Sequence, residues 1–296
     1  MLWILCGLAS ALCSATGGII AERSKTHGDA MAVWFRIVSI VVTLPFILTF
    51  ELPTAWQFWA LVVFNSIIMG ISDTVSFHTI KVIGAGAQSR YRRTAILITF
   101  VLWLLINPAL LYHYLEMPGV SAAIFIVHAL AVYFAVRLKR DQTSWDGLRM
   151  MWVPILAGSI APIVTTLSFD YVANPSQGVF AYIFIQAVIV MGLFTARAAF
   201  RNGLQITKGA QALLADGNWK PGAAVGLALV AALALKNYGY SAADNPAYIA
   251  VLLLTDTLWL LLYHKWRGIK DKTDVISGMG IVGCAAALIL IKITFE

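Results

Sequence analysis

The sequence predicts an all-α polytopic membrane protein, with ten transmembrane helices arranged as two inverted five-helix repeats. Three observations carry this expectation. The chain is 60% hydrophobic and 12% charged, with a mean hydropathy of +0.82, whereas a soluble domain carries about 25% charged residues. The apolar residues are gathered into runs: residues 2–21, 117–136, 150–169 and 176–196 contain no Asp, Glu, Lys or Arg. The order of features in the first half of the chain also recurs in the second.

About 20 residues at roughly 1.5 Å each cross the hydrocarbon core of a bilayer. Read in order, the expected spans are 2–21, 30–50, 57–80, 88–107, 117–136, 150–170, 176–196, 222–240, 246–264 and 275–294. The connections carry turn chemistry at Gly28-Asp29, Leu52-Pro53, Gly84-Ala85-Gly86, Asn107-Pro108, Asn174-Pro175 and Asn245-Pro246. The first span has no basic segment before it, and its charges, Glu22, Arg23 and Lys25, follow it. It therefore reads as a membrane helix, not a cleavable signal peptide. Cys6, Cys13 and Cys284 all fall inside spans and read as small packing residues.

The halves divide as 1–140 and 141–296, one membrane domain in total. The fourth span of the first half reads Leu102-Trp103-Leu104-Leu105, with Leu111-Tyr112-His113 beyond it. Its counterpart reads Leu258-Trp259-Leu260-Leu261, with Leu262-Tyr263-His264 following. The second spans match loosely, Ala32 to Ile37 against Ala181 to Gln186. Five crossings are an odd number, so a second copy must run upside down. That is the plan of many secondary transporters, with a site at the repeat interface. Gly119 with Ala123, and Gly283 with Ala287, have the spacing that permits close helix contact, within the chain or in a homodimer.

Several stretches carry a resemblance. They are the small-residue first span (Ser14 to Gly18), Arg36 early in the second span, the Ile80 to Gln88 hairpin and the Gly-rich Ser277 to Gly283. Together with a 5+5 layout over the whole chain, they resemble the EamA-like branch of the drug/metabolite transporter superfamily. The resemblance implies a secondary transporter, in the prokaryotic inner membrane, that exports or exchanges a small metabolite by alternating access.

The chemistry is expected where charges enter the spans, because an ionisable group in the bilayer core costs at least about 2.5–3.5 kcal/mol and faces a cavity or a partner. Arg36, Asp73, Lys236 and Asp256 stand well inside spans, and Arg90 to Arg93 opens the fourth. Counting helical rise from the hairpin turn brings Asp73 level with Arg93 and nearly with Arg92, so an Asp73–Arg93 ion pair is expected. Lys236 and Asp256 lie at similar depths around the next hairpin. Either pair serves equally to neutralise buried charges or to bind a substrate. Arg36 has no partner by spacing. Tyr240 and Trp259 share helix faces with Lys236 and Asp256. Tyr182 and Gln186 lie on the seventh span, near the symmetry counterpart of Arg36. His128 reads as a hydrogen-bonded packing residue.

The expected substrate contacts are thus Arg36, Arg92, Arg93, Tyr182, Gln186, Lys236, Tyr240, Asp256 and Trp259, in a central cavity between the halves. An excess of basic groups in that set favours a small anionic cargo, with an amino-acid-like or neutral solute second. No cofactor, metal or nucleic-acid partner is expected. The alternatives are a lipid or lipid-carrier flippase and an integral-membrane enzyme on a lipid-linked substrate. Against an enzyme, the chain has no His-Glu-x-x-His, Gly-x-Ser-x-Gly or P-loop motif.

Connections after odd-numbered spans hold almost all the Lys and Arg, among them Arg23, Lys25, Arg137, Arg140, Arg197, Lys220 and Arg267, whereas the opposite side holds only Lys292. The net charge of +7 is accounted for by this asymmetry. The positive-inside rule places both termini outside the cytoplasm, opposite to the topology usual in the family resembled. A C-terminal reporter active only in the cytoplasm should stay dark, and bright signal would refute this orientation.

Overall fold

A computed structural model of the chain describes residues 2–23, 28–83, 93–137, 145–201, 219–268 and 275–295. Among these residues all regular structure is helical. The helices are α1 (Leu2–Arg23), α2 (Gly28–Thr49), α3 (Trp56–Ile83), α4 (Ala95–Ile106), α5 (Pro108–Glu116), α6 (Pro118–Arg137), α7 (Trp145–Phe169), α8 (Pro175–Arg201), α9 (Trp219–Ala242), α10 (Pro246–Leu253), α11 (Asp256–Trp266) and α12 (Val275–Phe295). Seven of them, α1, α2, α6, α7, α8, α9 and α12, contain segments long and apolar enough to cross a membrane. The bent pair α4–α5 brings the number to eight. The remaining expected crossings fall on α3 and on α10–α11. The expected boundary at 140/141 lies outside the described residues.

The Asn-Pro pairs read as turns start helices. Asn107, Asn174 and Asn245 each present a side-chain oxygen to a free backbone N–H of the following helix: Leu110 at 3.1 Å, Ser176 at 2.9 Å and Ala247 at 2.9 Å. The proline behind each Asn has no N–H to satisfy and a φ already suited to a first helical turn. At Asn107 the new helix leaves at 99° to α4. α4 is only 12 residues long, or about 18 Å at helical rise, and this break opens a space at its end.

The outside of the bundle is apolar: Leu48, Leu105, Phe200 and Ile276 are 68–76% exposed. In water such a surface would drive association; in a bilayer it is the solvated face. Inside, hydroxyls bond to helix carbonyls. Ser39, Thr43 and Ser66 donate to the carbonyl four residues back. Ser10 Oγ donates across to Ala232 O at 2.7 Å, and Thr99 Oγ1 to Ser159 O at 3.1 Å, tying α1 to α9 and α4 to α7.

α9 is the centre of the packing. It lies along α1 and α2 and touches α8. α3 packs on α7 and α8, α2 on α8, and α6 on α12. Glycines permit the closest approach: a Cβ at Gly226 would meet Val38 Cβ at 2.8 Å, and one at Gly222 would meet Trp34 Cγ at 2.7 Å. The small-residue spacings read from the sequence behave differently, since a Cβ at Gly119 or Gly283 would meet nothing within 4 Å. Gly280, one turn earlier on α12, is the one pressed against Phe134 of α6.

Gly226→Ala should destabilise the bundle by about 1–3 kcal/mol through overpacking, while Gly283→Ala should leave stability unchanged. Thermal unfolding of the two variants in detergent checks this; equal midpoints would show that the α2–α9 approach is not limiting.

Candidate functional site

Two helices joined by residues 50–55 carry a buried ion pair. Arg36 on α2 donates from Nη2 to Asp73 Oδ2 on α3 at 2.9 Å, with the two side chains only 6% and 18% exposed. The guanidinium also lies 4.5 Å from the centre of the Phe35 ring. The expected partner of Asp73 was Arg93; the bond found is to Arg36, for which spacing offered none. The expectation compared heights only around the α3–α4 hairpin. The α2–α3 hairpin satisfies the same test: Arg36 lies 13 residues before Thr49, and Asp73 lies 17 after Trp56. The mismatch is about 6 Å at helical rise, within an arginine's reach. Arg93, beside the start of α4, is half-buried and makes contacts of its own. Arg92 lies outside the described residues.

A second polar knot sits about two turns along α3. Asn65 Nδ2 donates to Ala161 O at 3.1 Å and to Thr165 Oγ1 at 3.0 Å, and it also bonds the Tyr182 hydroxyl. Thr165 Oγ1 and Tyr182 OH are 2.9 Å apart. The knot joins α3, α7 and α8 inside a shell that includes Phe58 and Val62. Tyr182 is thereby consumed as a helix lock. Gln186, one turn further along α8, is buried. Phe46 stacks on Phe180 at 4.0 Å and sets the height of α2 against α8. Sequence reasoning missed Asn65, though an amide in the apolar run Leu61–Ile68 was the available signal.

The third feature is a cavity of about 440 Å³ at the α4–α5 break. Its wall includes Trp103, Asn107, Thr166, Asp170, Tyr240 and Asp244, from α4, the turn before α5, α7 and α9 with their flanking turns. Trp103 Nε1 donates to the Asp244 carbonyl at 2.6 Å, closing one side. The Asp244 carboxylate is 60% exposed, and Lys292 Nζ of α12 stands 3.4 Å behind it with its own side chain only 4% exposed. That ammonium lies 4.9 Å from the centre of the Tyr248 ring, and the Tyr248 hydroxyl is hydrogen-bonded to that of Tyr114. Partial burial pushes the Asp170 carboxyl above its ordinary pKa.

Of the expected contacts, Tyr240 lines this cavity. Lys236, one turn away, holds its ammonium 5.9 Å from the centre of the Tyr240 ring. Arg36, Tyr182, Gln186, Asp256 and Trp259 lie elsewhere: the first three are buried in the helix bundle, Asp256 is half-buried in the first turn of α11, and Trp259 is 41% exposed. Asp170 and Asp244, which the sequence did not single out, line the cavity together with Trp103, which the sequence marked only as part of the repeat. His128 is fully buried, with Nδ1 2.8 Å from the Ile124 carbonyl and its ring 4.6 Å from that of Phe100.

No protein-family model and no curated protein matches the chain. A solved structure described only as "Crystal structure of protein" superposes with a TM-score of 0.65, covering 98% of each chain at 15% identity. The chain is similar to it in fold across its whole length.

Breaking the buried pair strands a charge, at a cost of about 3–5 kcal/mol. Asp73→Asn or Arg36→Gln alone should therefore lower the unfolding temperature in detergent sharply, and the double variant should recover much of the loss. A double variant as unstable as the sum of the singles would show that the two groups do not act as a pair.

Proposed function

We propose that the chain crosses the membrane ten times, as two inverted five-helix repeats like those of the EamA-like drug/metabolite transporters. Its function is to move a small metabolite across a prokaryotic inner membrane by alternating access. Both termini face away from the cytoplasm. Crossings one to five are α1, α2, α3, α4–α5 and α6; crossings six to ten are α7, α8, α9, α10–α11 and α12.

The packing supports the repeat. Exchanging each crossing for the one five places away turns the α1–α9 contact into α7–α3, and α2–α9 into α8–α3. The contacts of α1 with α10 and α11 become that of α7 with α4, while α2–α8 and α6–α12 map onto themselves. A two-fold relation between the halves produces this pattern.

The observation that carries the transport reading is the cavity. Its wall takes α4 and the start of α5 from one half, and the ends of α7 and α9 from the other. A solute held there would touch both halves, so a rocking of one against the other would move its access route. A volume near 440 Å³ falls within the range of small-molecule sites, about 300–1,000 Å³. The anionic cargo expected from sequence rested on an excess of basic groups among the expected contacts; of those contacts that are described, Tyr240 is the one in the cavity wall, so the metabolite class is read from that wall instead.

Proteoliposomes should exchange at least one labelled solute from a mixed metabolite pool with saturable kinetics. Ser241→Trp, which fills the cavity from α9, should abolish that flux without altering the elution profile or thermal stability. Wild-type flux in Ser241→Trp would reject the cavity as the route, and a chemically altered solute would indicate an enzyme.

A further inference from the structure

The cavity wall carries two carboxylates, Asp170 and Asp244, and no cationic side chain among its described residues. The cation that balances Asp244 stands behind it, in the protein: Lys292, whose ammonium approaches at 3.4 Å while the carboxylate keeps 60% of its surface open. Lys292 approaches from α12, on the side of the Tyr248 ring and away from the cavity. The free side of the carboxylate, Asp170 on the α7–α8 turn, and the aromatic surfaces of Trp103, Phe169 and Tyr240 all meet in one space. This is an arrangement for a cation carried on a flat apolar body: carboxylates pair with the charge, and aromatic faces attract both the charge and the body. An anion would meet two like charges in the same recess.

We propose that this cavity binds a solute bearing an ammonium group on an aromatic or similarly flat apolar body, and that the solute's ammonium competes with Lys292 for the Asp244 carboxylate. Binding then weakens one tie between α12 and the α9–α10 turn, the Lys292–Asp244 pair. The solute's fate after binding rests on the transport reading, but the binding step is measured without flux. The titratable groups around the Lys292–Asp244 pair are Tyr248 on α10, Tyr114 and His113 on α5 and His128 on α6; Asp170 faces the same cavity from the α7–α8 turn.

The test is calorimetric titration of the purified full-length protein with tryptamine, its anionic counterpart indole-3-acetate and its neutral counterpart tryptophol. Tryptamine should bind saturably and at least about tenfold more tightly than either, a difference of about 1.4 kcal/mol. Asp170→Asn, in the α7–α8 turn, should raise the tryptamine Kd about tenfold. Asp244→Asn should do the same, and Lys292→Gln should lower it, because the resident competitor is gone. Equal affinity for tryptamine and indole-3-acetate, no saturable tryptamine binding into the millimolar range, or an unchanged Kd in Asp170→Asn would each overturn the proposal. Saturable tryptamine binding without flux of any solute would leave this site standing and reject transport; flux of another solute without tryptamine binding would do the reverse.

Discussion

A hydrocarbon interior supplies no hydrogen-bond partner, so every polar group carried into it must find one in the chain. That constraint organises the whole bundle. The backbone meets it with helices, which make up all the regular structure among the described residues. Hydroxyls meet it by bonding to helix carbonyls, as Thr43 does to Ser39 within α2 and Ser10 does to Ala232 across to α9. Charges meet it in pairs. The Arg36–Asp73 bond fixes α2 against α3 in height and rotation, because a slip of one turn would leave two uncompensated charges in the low-dielectric interior.

With the polar groups satisfied, the close approach of helices depends on size. Lipid tails are as apolar as leucine side chains, so contact between membrane helices is gained by dispersion and close fit. α9 gains it through Gly222 and Gly226 against Trp34 and Val38 of α2, and Gly239 against Ile249 of α10. Serving two neighbours in this way places α9 at the centre, and its end, with Tyr240, becomes a wall of the cavity. The tight seams and the open space are produced by the same helix.

The cavity itself exists because α4 stops short. Asn107 caps and Pro108 begins a new helix at 99°, so the volume at the end of a 12-residue helix is left to the side chains of the adjoining turns. The groups that gather there are those loops can carry but buried helix faces cannot, Asp170 and Asp244 above all. Lys292 reaches one of them from the last helix. The cavity's acidic character and its attachment to α12 thus share one cause.

The sequence by itself determined that this is a helical membrane protein and where most of its long apolar helices begin and end, and it marked Arg36 as a buried charge. Charge-free runs of helical length and Asn-Pro caps are local signals, and local physics decides them. It also exposed the recurrence of features between the halves. Only the tertiary structure decided the partners. Height along a helix can be counted from a turn, but rotation about the axis cannot, so counting matched Asp73 to Arg93 while the facing of α2 and α3 gave it Arg36. Tyr182 read as a substrate contact from its place on the seventh span, near the symmetry counterpart of Arg36; the hydroxyl of Thr165 and the amide of Asn65, 117 positions away, are the partners that the fold gives it. Asp170 and Asp244 drew no attention in the sequence, since nothing local reveals that the α7–α8 and α9–α10 turns face one space. Contacts between residues far apart in sequence depend on how whole helices are rotated and packed, and that is a property of all the helices together.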